Sequence, residues 1–119
     1  MKNDSHINKK KNARYKGNYY ENIALQYMID LGFVLIKKNF YSRYGEIDLI
    51  MQKDNILHFI EVKSSSSFHP LYNITHKKLE KLTKTIHVFL EQQNSTAHFC
   101  LDAISIHNNQ IVFIENITL

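Results

Sequence analysis

From Asn18 the apolar residues Tyr20, Ile23, Ala24, Tyr27, Met28 and Leu31 recur at i, i+3, i+4, i+7, i+8 and i+11, the stripe of a helix with one buried face. Gly32 follows where a left-handed stop is needed. Residues 33–40 form an apolar and then basic run rich in β-formers, and the stretch from Tyr41 to Gly45 reads as a turn. Two further β-rich runs, 46–52 and 56–63, flank Lys53-Asp54-Asn55, which signals a hairpin and makes those strands antiparallel neighbours. Four serines and the only proline mark 64–73 as a loop. In 75–91, Leu79, Leu82, Ile86, Phe89 and Leu90 share one helical stripe while Lys77, Lys81 and Lys84 take the opposite side. Two last strands, 97–106 and 111–117, meet through Asn108-Asn109, a second hairpin signal. The order α-β-β-β-α-β-β defines an α/β protein.

A chain of 119 residues and 14.1 kDa holds one core, and 44% hydrophobic content is enough to fill it. The opening residues 1–16 are polar, lysine-rich and without apolar period, so they read as a basic tail preceding a single domain over 17–119. Charge sharpens this division. Residues 1–20 carry six basic groups against Asp4, while the remaining 99 carry nine basic and ten acidic groups. The net +4 therefore comes from the tail, which suits phosphate contact but equally describes a solvated arm.

Three glycines offer no material for a phosphate-cradling loop, and neither GxGxxG nor GxxxxGK[ST] occurs, which removes most nucleotide-cofactor readings. Cys100 stands alone, so neither a disulfide nor a paired-cysteine zinc motif is expected, and a reduced thiol in the cytoplasm is. The seven histidines lack HxxxH or HExxH spacing, which argues against histidine-metal chemistry. No apolar stretch suggests a signal peptide or a membrane span.

Strand period supplies the candidate chemistry. Glu46, Asp48 and Ile50 should point one way and Ile47, Leu49 and Met51 the other, while Leu57, Phe59, Glu61 and Lys63 share a face. If the hairpin turns tightly at Asp54-Asn55, cross-strand partners have numbers that sum to 109. Asp48 then faces Glu61, and Glu46 faces Lys63. Two opposed carboxylates repel unless a cation lies between them, and an all-oxygen donor set favours Mg²⁺ or Mn²⁺. Lys63 would reach the attacking water or a phosphate, which is sufficient for metal-assisted phosphodiester hydrolysis. The plainer alternative is a solvent-facing strand with an ordinary Glu46–Lys63 ion pair. Leu57 and Phe59 weigh against it, because they put Glu61 and Lys63 on a partly buried face.

The run Gly45-Glu46-Ile47-Asp48-Leu49-Ile50, with Phe59-Ile60-Glu61-Val62-Lys63 placing Glu61 thirteen residues after Asp48, resembles the signature of the YraN-like family of small bacterial proteins. That family looks like a branch of the PD-(D/E)xK nuclease superfamily. The resemblance implies a restriction-endonuclease-like three-layer α/β/α fold with a central mixed sheet. It implies that Asp48 and Glu61 bind metal, that Lys63 is the catalytic lysine, and that Glu21 on the first helix joins them. Glu21 has a second reading, since Asn18-Tyr-Tyr-Glu21 is spaced like a capping box.

The implied activity is a Mg²⁺-dependent (or Mn²⁺-dependent) endonuclease acting on nucleic acid, DNA ahead of RNA, branched or single-stranded. Lys16, Arg43 and Lys78 are its candidate backbone contacts, and a homodimer is left open. Departures stand beside the match: Tyr20 replaces the glycine expected before Glu21, and Ser65 and Cys100 stand where arginines are common. These losses keep two rivals in view, a catalytically inactive nucleic-acid-binding module and a protein-interaction domain with a basic docking arm. Asp102 reads as structural.

Overall fold

The computed structural model describes residues 17–65 and 74–117. The tail 1–16, with Lys16, and most of the serine-rich loop lie outside the described residues. Helix α1 covers residues 17–30. It ends where Gly32 takes φ 96°, with Gly32 N–H donating to the Ile29 carbonyl (2.9 Å) and Phe33 N–H to that of Met28 (3.0 Å). This is the paired closure that a left-handed glycine permits.

The strands are β1 (Val34–Ser42), β2 (Gly45–Lys53) and β3 (Ile56–Ser65), then helix α2 (His76–Gln92), then β4 (His98–His107) and β5 (Gln110–Ile114). They form one sheet in the order β1-β2-β3-β4-β5. Among the described residues only β3 and β4 run parallel, joined across α2, so the sheet is mixed. Asp54 and Asn55 (φ 52° and 64°) and Asn108 and Asn109 (φ 48° and 65°) make the two expected tight hairpins. Thr75 caps α2, its hydroxyl accepting from Lys78 N–H at 3.1 Å.

Each helix covers one face of the sheet. Leu82, Ile86 and Phe89 of α2 pack on Phe40, Ile47, Ile50, Leu57, Phe59 and Leu101. Ala24 and Met28 of α1 pack on Leu49, Met51, Ile60, Ile104 and Ile106. Among the described residues no helix is long and apolar enough to cross a membrane.

Four expectations need correction. The serine-rich loop does not open at Ser64, because Ser64 and Ser65 extend β3 alongside β4. The turn over 41–45 shrinks to Arg43-Tyr44, because β1 runs on to Ser42 and pairs with Gly45. Strand β5 stops at Ile114, and the backbone then turns at Asn116 (φ 54°) so that Ile117 N–H reaches the Leu101 carbonyl (2.8 Å). Ile47 does not share a face with Leu49 and Met51 but packs with Ile50 on the α2 side. Asn39, between the Lys38↔Leu49 and Phe40↔Ile47 pairs, takes the left-handed φ of 54°, and the change of face falls at that break in the pairing.

Candidate functional site

The sum-of-109 register holds from Lys53↔Ile56 to Leu49↔Ile60, and the ladder between β2 and β3 ends there. Beyond that point β2 stays paired with β1 down to Gly45, and β3 stays paired with β4 up to Ser65↔His107. The middle strands thus part at Asp48 and Glu61. The Asp48 carboxylate sits in the crotch of this fork and accepts a hydrogen bond from the Val62 N–H at 2.8 Å, taking the place of a ladder carbonyl.

Glu21, Glu46 and Asp48 each bring a carboxylate oxygen within 4.8 Å of the other two. Residue 17 is already helical, so Asn18 lies inside α1 and Glu21 serves the sheet instead of a cap. With its amide nitrogen toward the acceptors around it, Asn39 donates to Glu21 Oε2 (3.0 Å) and Glu46 Oε1 (2.7 Å), bridging the two. Left-handed φ at Asn39 is what aims this amide inward, and asparagine adopts that conformation more readily than most residues.

Glu61 is buried and lies outside that tightest trio. Its Oε1 is 3.4 Å from Lys63 Nζ and 3.7 Å from Lys78 Nζ, so β3 and α2 each bring a cation to it. The expected Glu46–Lys63 pairing does not form, because the ladder has already opened: Glu46 turns to Asn39 and Glu21, and Lys63 to Glu61.

Electrostatics in the fork are those of crowded like charges. Burial pushes the Asp48 carboxyl up to about 8, reinforced first by the charge of Glu61 and less by Glu21 and Glu46, against the opposing pull of the Val62 bond. Glu46 is also raised, by burial and then by Glu21 and Glu61, with Lys78 pulling the other way.

Asp48, Glu61, Lys63 and Glu21 are therefore gathered in one place, and Lys78 joins them. Arg43 sits at the β1–β2 turn, where its guanidinium donates to the Tyr44 hydroxyl (2.6 Å) and lies 4.8 Å from that ring. The Ser42 and Thr85 hydroxyls, 2.8 Å apart, hold this turn against α2. Glu46 is the member of the cluster whose place differs from the sequence expectation. The alternation that put it on one strand face with Asp48 was visible, but its real neighbours lie on α1 and β1.

Among the described residues, two helices enclosing a five-stranded mixed sheet, with acidic and lysine side chains gathered where the middle strands part, define an α/β/α protein with a polar cluster at a fork in its sheet. The chain belongs to the family described as uncharacterised protein family UPF0102, whose model matches residues 20–106. A UPF0102 protein of Helicobacter hepaticus is 50% identical over 108 residues, covering 91% of this chain and 98% of that one. One from Wolinella succinogenes is 46% identical over 107 residues, covering 90% and 99%, and one from Helicobacter pylori is 45% identical over 105, covering 88% and 92%.

Proposed function

We propose that this protein is a divalent-cation-dependent phosphodiesterase of the PD-(D/E)xK type, acting on nucleic acid, with DNA ahead of RNA. The observation that carries the reading is the convergence of Glu21, Glu46, Asp48 and Glu61 at the fork, with Lys63 and Lys78 on its rim. The Asp48 carboxyl is raised to about 8 by burial first and then by the charge of Glu61, with Glu21 and Glu46 adding to that repulsion. A divalent cation relieves that repulsion, and the all-oxygen donor set suits Mg²⁺ or Mn²⁺.

Asp48 and Glu61 would hold the ion, with Glu21 and Glu46 completing the acidic wall. Bound there, it would supply Lewis-acid polarisation of a phosphate and a more acidic water. Lys63 stands beside Glu61, where its ammonium can orient the attacking water or bond a non-bridging phosphate oxygen. Lys78 offers a second ammonium from α2 for the nucleic-acid backbone, and the Val62 N–H fixes the Asp48 carboxylate in place.

The test is cleavage of labelled single-stranded, duplex, forked and four-way-junction DNA with Mg²⁺ or Mn²⁺, using wild type, Asp48→Asn and Lys63→Ala. Cleavage should require the metal and fall by about 10²-fold or more in both variants, the scale of losing one transition-state contact. Salt-sensitive DNA binding without cleavage of any substrate would point to the inactive binding module. Equal activity of Lys63→Ala and wild type would remove the lysine from its role.

A further inference from the structure

Three residues before Glu61, and on the α1 side of the sheet, a second polar cluster of different chemistry is built across the parallel β3–β4 pair. His58 lies in register with Cys100, two residues before Asp102 on β4. The His58 Nδ1 is 2.5 Å from Asp102 Oδ2 and 3.1 Å from Cys100 Sγ, and the three donor atoms lie within 4.8 Å of one another. His58 is 6% exposed and Asp102 is fully buried. The other oxygen of Asp102 accepts from Asn116 N–H at 2.8 Å, which fixes the carboxylate from the side away from His58. Phe33 stands edge-on to the imidazole with centroids 4.8 Å apart, restricting ring rotation.

One imidazole nitrogen, one thiol sulfur and one carboxylate oxygen converging on a shared point form a borderline-soft donor set, unlike the all-oxygen fork. We infer that His58, Cys100 and Asp102 form a binding site for one Zn²⁺-class transition-metal ion, separate from the acidic cluster at the fork. A tetrahedral ion about 2.0–2.3 Å from its ligands needs them about 3.3–3.6 Å apart, so His58 and Asp102 must separate by roughly 1 Å on binding. Coordination releases the thiol proton to solvent and breaks the His58–Asp102 hydrogen bond, whose Nδ1 proton is also given up to solvent as the imidazole takes the Nε2–H tautomer and turns its Nδ1 lone pair to the ion.

Three protein ligands leave a fourth position open. A cleft of about 330 Å³ adjoins the site through His58, lined there also by Phe33, Phe113, Lys53 and Glu115. Without metal, burial and the Asp102 charge push the Cys100 thiol up to about 12, so it stays protonated and is a poor nucleophile. That argues against a thiol-based catalytic role for the cluster.

Co²⁺ titration of the chelator-treated full-length protein tests the site. One equivalent should bind with a near-ultraviolet thiolate-to-cobalt charge-transfer band, and Zn²⁺ should displace it. Cys100→Ser should abolish the band. His58→Gln and Asp102→Asn, checked for folding by circular dichroism, should each weaken Co²⁺ binding about tenfold or more, the lower end of what even outer-shell changes cost. Asp48→Asn should leave the band intact, which separates this site from the fork, where oxygen ligands give no such band. The inference is overturned if wild type shows no thiolate band in excess Co²⁺. It is equally overturned if the band survives unweakened in the folded His58 and Asp102 variants, since the thiol would then be binding alone.

Discussion

On the hairpin side of Leu49 and Ile60, β2 and β3 are joined by a regular ladder and buried on both faces; on the other side the same two strands part around Asp48 and Glu61. The joined half is filled with apolar side chains such as Ile50, Met51, Phe59 and Ile60, all fully buried. In the parted half each strand keeps only its outer neighbour, and the gap between them is bordered by carboxylates. Stability should therefore reside in one half of the hairpin, and chemistry in the other. Substitutions on either side of the parting point ought to behave as different kinds of change.

The largest difference is expected from truncation. Phe59 in the joined half touches Phe89 of α2 at 5.7 Å and Phe99 at 5.9 Å between ring centroids. Phe59→Ala should cost about 3–5 kcal/mol in urea unfolding through cavity formation and lost contacts. Lys63→Ala, on a partly exposed side chain of the parted half, should cost less, about 1–2 kcal/mol, because Lys78 remains to pair the buried Glu61. A comparable loss in both variants would erase the proposed division.

The next effect is a dependence on pH. Asp48 titrates near 3.8 when unfolded and about 8 when folded, so between those values the folded chain binds the extra proton. Its contribution to stability is fully present below about pH 3.8 and is lost as pH rises through about 8. Glu46, also raised, acts in the same direction. Thermal melts of the metal-free protein should show Tm falling toward pH 8, with a shallower fall in Asp48→Asn. Parallel slopes in the two proteins would mean that Asp48 is not the crowded group.

Smaller, and dependent on concentration, is the response to cation. Mg²⁺ or Mn²⁺ at about 100 times its dissociation constant should stabilise wild type by about 2.7 kcal/mol. Asp48→Asn should respond far less, and Phe59→Ala should keep the full increment, since its defect lies on the joined side of the parting point. Differential scanning fluorimetry across a metal series reads all three.

How much of this was legible in the sequence follows the same boundary. Local patterns are complete in the joined half: the Asp54-Asn55 turn set the register, and alternation placed Phe59 and Leu57 correctly. Arithmetic on that turn also brought Asp48 near Glu61, but it could not show the ladder ending there, because a side-chain bond from Asp48 to Val62 N–H takes over. Nothing local announced that Asn39 would turn left-handed or that Ile47 would change face there. The His58–Cys100–Asp102 cluster was beyond motif reading for another reason. Its members are 42 and 44 residues apart and meet only because β3 and β4 run parallel across α2.

Asn39 carries the smallest expected effect and the sharpest distinction, because its backbone and its amide do separate jobs. The backbone at φ 54° lies where Ile47 changes to the α2 face, and the amide bridges Glu21 and Glu46. Asn39→Gly keeps access to positive φ while deleting the two hydrogen bonds of the bridge, so unfolding should change by about 1–2 kcal/mol. Asn39→Val loses both, since a β-branched residue is a genuine outlier at positive φ, and should cost more. In Asn39→Gly, Glu46 also loses a donor that favours its charged form, so the pH-dependent fall in Tm should steepen relative to wild type while the Phe59 core is untouched. If Asn39→Gly instead destabilises as much as Asn39→Val at low pH, where the carboxylates are neutral, the amide rather than the backbone conformation would be what maintains the fork.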